Sequence, residues 1–177
     1  MKIVVITGSP HKAGTSALLT ERFIRGAGEA GHQIYRFDAA FRDVHPCIAC
    51  EACRDTGRGC VFDDSMEELN PHLLAADAVI FVSPVYYYGV TAQIKAVIDR
   101  FYANNAALHT PKKTALILTF GDDTMESANG AIATYKGMTG YLGWERAGII
   151  AALECYTVED IKKTRFPEMA YELGRGI

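Results

Sequence analysis

Four of the five cysteines stand together in Cys47-Ile-Ala-Cys50-Glu-Ala-Cys53-Arg-Asp-Thr-Gly-Arg-Gly-Cys60, a C-x2-C-x2-C-x6-C spacing. Three thiols at successive three-residue steps crowd into a small volume, and Gly57 and Gly59 let the chain bend the fourth back. Clustered thiolates are what an iron–sulfur cube requires. Structural zinc more usually takes two separated C-x2-C pairs, so zinc fits less well. A bare cysteine loop with readily oxidised thiols is the other alternative. A disulfide framework is disfavoured, because nothing points to secretion and an apolar core of this size needs no staple. Cys155 lies apart and reads as an inert buried residue.

Two further stretches carry chemistry. Gly8-Ser9-Pro10-His11-Lys12-Ala13-Gly14-Thr15-Ser16 combines small residues with hydroxyls. Small residues let the backbone approach an anion. If a helix starts here, its first N–H groups lack internal partners and its dipole attracts negative charge. The stretch matches neither Gly-x-Gly-x-x-Gly nor the nucleoside-triphosphate loop, so both of those readings fail. The plain alternative is a polar turn with a helix cap. His11 and Lys12 offer positive charge, although Lys12 reads rather as a solvated loop-tip side chain. Ser83-Pro84-Val85-Tyr86-Tyr87-Tyr88-Gly89 supplies an aromatic tip suited to a planar heterocycle. Its alternative is one inward tyrosine with the others covering a subunit interface. The five histidines are scattered without metal-ligand spacing, and His45 sits two residues before Cys47.

These stretches need elements to hold them. Lys2 to Thr7 is a short, nearly continuous apolar run, as in a strand covered on both faces. Ser16 onward is helical, with Leu18, Leu19, Phe23 and Ile24 on one stripe and Gly26, Gly28 and Gly31 weakening its end. Gln33 to Phe37 is a second strand, and 41–63 shows no period. Ser65 to Ala76 is helical, with Asp64-x-x-Glu67 placed to cap it. Ala78 to Val82, Thr114 to Phe120 and Trp144 to Leu153 read as strands. Thr91 to Tyr102 and Ser127 to Leu142 read as helices, and Val158 to Lys163 as a short helical turn. Such alternation implies right-handed crossovers, a five-stranded parallel sheet and helices on both faces. The expectation is one doubly wound α/β domain over residues 1–177, with a cysteine-rich loop at about 41–63. Ligands of that architecture bind outside the carboxyl ends of the strands, where Gly8 to Ser16, Ser83 to Gly89 and Phe120 to Asp123 converge.

Composition bounds the rest. The 177 residues are 49% hydrophobic and 22% charged, with a net charge of −3 and no basic block, which disfavours nucleic acid. No apolar run approaches the ~20 residues of a membrane span. Met1 to Gly8 lacks the length and cleavage site of a signal peptide, so a cytoplasmic protein is expected.

Thr7-Gly8-Ser9-Pro10 with Gly14-Thr15-Ser16, followed by Ser83-Pro84-Val85-Tyr86 and Thr91-Ala92-Gln93-Ile94-Lys95, resembles the NADPH-dependent FMN reductase family of flavodoxin-like proteins. The resemblance covers most of the chain to about Leu118. It implies that Ser9, His11, Gly14, Thr15 and Ser16 hold the FMN phosphate. It also implies that Pro84, Val85, Tyr86, Tyr87, Tyr88 and Gly89 embrace the isoalloxazine, with Gly121 and Asp122 closing its other side. His11 stands where the family often has Arg, and Thr15 where it often has Asn. The cysteine segment, with the Asp63-Asp64-Ser65-Met66 that follows, resembles the iron–sulfur flavoprotein branch of the same family. There, Cys47, Cys50, Cys53 and Cys60 would ligate a 4Fe–4S cluster exchanging electrons with FMN. The implied function is an FMN-dependent oxidoreductase with flavin-centred chemistry and no catalytic side chain. The donor is NADPH or NADH, the electron partner a nicotinamide dinucleotide or ferredoxin-like protein, and the assembly a homodimer or homotetramer. The alternatives are a cluster-free NAD(P)H-dependent FMN or quinone reductase and a non-catalytic flavin-binding redox module.

Overall fold

The computed structural model describes residues 1–57 and 59–177. Arg58, inside the expected cysteine-rich loop, lies outside the described residues.

The first strand, β1 (Lys2–Thr7), leads through a loop into helix α1 (Thr15–Glu29), which is followed by β2 (Gln33–Asp38). A short helix, α2 (Ala52–Asp55), interrupts the cysteine-bearing segment before α3 (Met66–Ala75) and β3 (Ala78–Pro84). Helix α4 (Ala92–Asp99) tightens into a 3-10 turn over Arg100–Asn104 and ends in the short α5 (Asn105–Leu108). Then come β4 (Lys113–Thr119), α6 (Asn129–Leu142), β5 (Glu145–Ala152), α7 (Val158–Lys162) and α8 (Phe166–Gly176).

All five strands are parallel, in the order β2-β1-β3-β4-β5. This is the doubly wound, flavodoxin-like sheet that the alternation predicts. Strand residues point alternately to the two faces, so a strand apolar throughout buries both sides. Val4 and Ile6 join Phe81, Leu116 and Leu118 in a core under α3, α4 and α6. Ile3 and Val5 join Ile80, Val82 and Ile117 in a second core with Leu19 and Phe23 of α1 and Ala170 of α8. Fully burying each such side chain contributes roughly 1.5–3 kcal/mol. The chain leaves β1 in opposite directions toward β2 and β3, so the switch in strand order falls between β1 and β3. A crevice opens at such a point, and the loops after both strands border it.

Two expectations change here. Helix α8 carries no counterpart in the periodicity reading, yet it packs along α1. Asp64 does accept the Met66 N–H at 3.0 Å, but α3 has no side-chain capping box, because that carboxylate is engaged by Arg100. Among the described residues, no helix is long and apolar enough to cross a membrane.

Candidate functional site

The rim of the sheet is knitted by backbone and hydroxyl hydrogen bonds. Gly8 N–H donates to Val82 C=O at 2.9 Å, and Thr91 Oγ1 donates to Gly8 C=O at 2.8 Å. A Cβ at Gly8 would collide with Thr91 Oγ1 and come within 2.9 Å of Ile94 Cβ, so glycine is what lets α4 start against the end of β1. Val85 N–H donates to Thr119 C=O at 2.9 Å and Cys155 N–H to Phe120 C=O at 2.9 Å, fixing the loops after β3 and β5 to the end of β4.

Into this rim opens a cleft with about 1440 Å³ of empty space, adjoining solvent included. Ser9, His11, Gly14, Thr15 and Ser16 line one side, and Pro84, Val85 and Tyr86 another; Gly121 lies on the third. Helix α1 begins there with no side chain capping it and no acidic residue in its first turn. The starts of α3, α7 and α8 carry carboxylates, and of the carboxylate-free starts of α1, α4 and α6 it is that of α1 whose residues line the cleft. The hydroxyls that might have capped α1 point elsewhere: Thr15 Oγ1 donates to Thr119 Oγ1 at 3.1 Å, and Ser16 Oγ lies 2.8 Å from the same oxygen. The first-turn N–H groups therefore keep their positive end for a ligand. Ser9, buried, accepts the His11 N–H at 3.2 Å and shapes the turn. His11 and Lys12 are exposed at its tip, with the Lys12 ammonium 4.9 Å from the Phe41 ring centroid.

The tyrosine stretch forms a tight hairpin. Tyr86 and Gly89 exchange backbone hydrogen bonds of 3.0 and 3.1 Å, forcing Tyr87 and Tyr88 to φ of 46° and 65°. Such a turn favours asparagine and glycine, so two tyrosines there carry backbone strain. The hairpin rests on α6, where a Cβ at Gly130 would strike the Tyr88 carbonyl. Of the three rings, Tyr86 lines the cleft, whereas Tyr87 is fully exposed and Tyr88 and Gly89 lie outside its lining. Asp122 also lies outside it. Its carboxylate accepts from Ser127 Oγ and from Asp123 N–H at 2.8 Å, and these bonds hold it below the ordinary carboxylate range.

The cleft has walls that the sequence motifs do not announce. Thr119, Tyr156, Thr157 and Val158 line it beside the expected Phe120, and so does Cys155. Burial, with the neighbouring Asp160 and Glu154 carboxylates, pushes the Cys155 thiol up to about 11, and its Sγ donates to Leu153 C=O at 3.1 Å. Cys155 is buried as expected, though on a wall of the cleft. The signal for these residues was positional: they follow the carboxyl ends of β4 and β5, where the fold puts its ligands.

The four clustered cysteines line a separate pocket, with about 360 Å³ of empty space including adjoining solvent, which shares no wall residue with the cleft. Ile48, Val61, Phe62, Tyr102 and Ala103 give it an apolar lining. The thiols are free, Cys47 and Cys50 exposed and Cys53 and Cys60 half-buried. Positive φ at Ala49, Glu51, Gly57 and Gly59 winds the loop around the pocket. In donor type and neighbourhood the set fits an iron–sulfur cluster. Among the described residues, no three His, Cys, Asp or Glu side chains are grouped so as to hold a metal ion.

Residues 1–144 match the family model described as NADPH-dependent FMN reductase. An iron–sulfur flavoprotein of Methanocaldococcus jannaschii is 35% identical over 100 residues, 56% of this chain and 51% of that one. An iron–sulfur flavoprotein of Methanosarcina thermophila is 39% identical over 100 residues, 56% and 52% of the two chains. The chain thus spans about half the length of the curated relatives it matches. Among solved structures, an NAD(P)H:quinone oxidoreductase from Methanothermobacter marburgensis superposes with a TM-score of 0.72 at 19% identity. That match covers 98% of this chain and 94% of the other, and it shows a shared fold.

Proposed function

Since the chain belongs to the NADPH-dependent FMN reductase family, we propose that it is an FMN-dependent oxidoreductase drawing electrons from NADH or NADPH, with a 4Fe–4S cluster in its cysteine pocket. The observation that carries the flavin reading is the uncapped, carboxylate-free start of α1 opening into the cleft at the β1/β3 switch point. An anion belongs there, and a mononucleotide brings one attached to a flat ring system.

The N–H groups of Thr15, Ser16 and Ala17, with the Ser9 hydroxyl, would bind the phosphate, and His11 would add a donor at the loop tip. Pro84 and Val85 offer an apolar edge and backbone groups to the ring, and Tyr86 a flat face. Gly121 leaves room on the other side: a Cβ there would lie 2.9 Å from the Tyr156 ring. The Tyr88 backbone rests on Gly130 of α6, Gly89 closes the hairpin with Tyr86, and Asp122 would brace the loop after β4. FMN, when bound, accepts two electrons as a hydride and releases them singly. Cys47, Cys50, Cys53 and Cys60 would hold the cluster, which supplies one-electron storage. The same reading treats residues 1–177 as one domain and takes a nicotinamide dinucleotide or ferredoxin-like protein as partner of a homodimer or homotetramer.

A cluster-free NAD(P)H-dependent FMN or quinone reductase is the second reading, supported by the lack, among the described residues, of any group of three or more His, Cys, Asp or Glu side chains placed to hold a metal ion. Anaerobic purification with iron and flavin quantification decides between them. The first reading expects FMN near one per chain, about four irons per chain and a broad shoulder near ~420 nm. FMN with iron near zero after anaerobic reconstitution leaves the second. Protein that takes up neither FMN nor iron overturns both.

A further inference from the structure

The stem of the cysteine loop closes on a buried ion pair. Arg100 Nη1 donates to Asp64 Oδ2 at 2.6 Å and to His45 C=O at 2.9 Å, while Nη2 reaches Asp64 Oδ1 at 3.3 Å. The two side chains are 2% and 0% exposed. Asp64 also accepts the His45 and Met66 N–H groups, each at 3.0 Å. The guanidinium carbon lies 5.1 Å from the Phe62 ring centroid, and the His45 ring stacks on that same ring at 4.8 Å. His45 precedes the first cysteine by two residues, and Phe62 and Asp64 follow the last by two and four. One arginine of the 3-10 turn after α4 therefore grips both ends of the loop.

Arg100 also forms part of the pocket wall among the cysteines. Its Nε–H is buried and, among the described residues, has no acceptor. A buried donor without an acceptor is costly and uncommon. Among the described residues, the basic side chains Lys95 of α4 and Arg54 of α2 are paired elsewhere and solvated, Lys95 with Asp99 and Arg54 with Glu51 and Asp55. Thiolates and sulfides of a cluster are acceptors of the kind this donor lacks, and hydrogen bonds to cluster sulfurs raise the reduction potential.

The geometry points to Arg100 as the positioning residue of the cysteine pocket: its Nη fork fixes the loop stem, and its Nε–H donates to a cluster sulfur. This rests on the cluster reading above. The readouts are iron content, pulsed electron paramagnetic resonance of the reduced protein carrying arginine labelled with 15N at Nε, and the cluster midpoint potential. Wild-type protein should show a 15N coupling that Arg54→Gln keeps and Arg100→Lys removes. Arg100→Lys, which retains the charge but not the fork, should shift the reduction equilibrium at least tenfold toward the oxidised form, about 59 mV for one electron. A wild-type protein that binds iron but shows no arginine coupling overturns the assignment and leaves the cluster standing. So does an unshifted potential in a folded Arg100→Lys. Wild-type protein that takes up no iron overturns both. If Arg100→Lys fails to fold, the labelled wild type decides alone.

Discussion

Replacing Thr15 with Asp sets two effects of the α1 terminus against each other. The helix lacks acidic residues in its first turn, so a carboxylate there gains about 0.3–1 kcal/mol from the macrodipole. Loss of the 3.1 Å hydrogen bond to Thr119 offsets this by roughly 0.5–1.5 kcal/mol. Stability should therefore stay within about 1 kcal/mol, or 2–4 °C in a chain of this size. Flavin binding should respond very differently. A phosphate bearing roughly −1.5 to −2 charges, seated at those N–H groups, meets the new carboxylate at roughly 5 Å. At an effective dielectric constant of about 20, the repulsion is on the order of 3 kcal/mol per charge. Even one unit of charge weakens binding by about two decades. Thr15→Asn, neutral and similar in size, controls for the lost hydroxyl and should bind within about tenfold of wild type. The assay is titration of apoprotein with FMN by fluorescence quenching, alongside thermal melts. A Thr15→Asp protein that melts normally and binds FMN within threefold of wild type would refute an anion at the start of α1.

Two further outcomes follow from the same rim. With its thiol pushed from an ordinary 9.0 up to about 11, Cys155 has ~100-fold less thiolate than a free thiol at neutral pH. Iodoacetamide at pH 8 on iron-free, reduced protein should modify exposed Cys47 and Cys50 while leaving Cys155 intact by peptide mass mapping; rapid labelling of Cys155 contradicts its burial. Giving the strained hairpin the residues its turn favours, Tyr87→Asn with Tyr88→Gly, should stabilise the fold by roughly 1–2 kcal/mol. The melting temperature should rise by about 2–8 °C, and a fall would mean that the two rings are packed against something.

The sheet was legible because its strands are buried on both faces. Runs such as Ile3–Ile6 and Ala78–Val82 are apolar without interruption, which a half-exposed strand would not be. The small-residue loop after β1 and the tyrosine loop after β3 stood out by residue type, and the parallel order then placed both at one crevice. The division of labour among the tyrosines was not. Three identical residues in a row carry no sign of which ring turns inward, and the answer depends on the bridge between Tyr86 and Gly89 and on Gly130 beneath it. Thr119 and the segment 155–158 were silent for another reason. Their role comes from long-range registry with loops more than a hundred residues away or from a neighbouring strand end, and neither leaves a local motif.

Glycines show where local reasoning gives way to packing. Read along the chain, Gly26 weakens the end of α1, and Gly174 and Gly176 make the last segment a poor helix. In the fold, Gly26 and Gly174 are the points at which α1 and α8 touch. A Cβ on Gly26 would collide with the Tyr171 carbonyl, and one on Gly174 with the Phe23 carbonyl. The cost of glycine in each helix is offset by backbone-to-backbone approach between them, which an alanine would forbid. This explains in part why α8 was missed: Gly174, which lowers its intrinsic propensity, is also the residue that docks it. The consequence reaches the cleft. Helix α8 backs α1, whose first turn opens on the cleft and is proposed to hold the phosphate, so the glycine contact supports the helix that carries that turn.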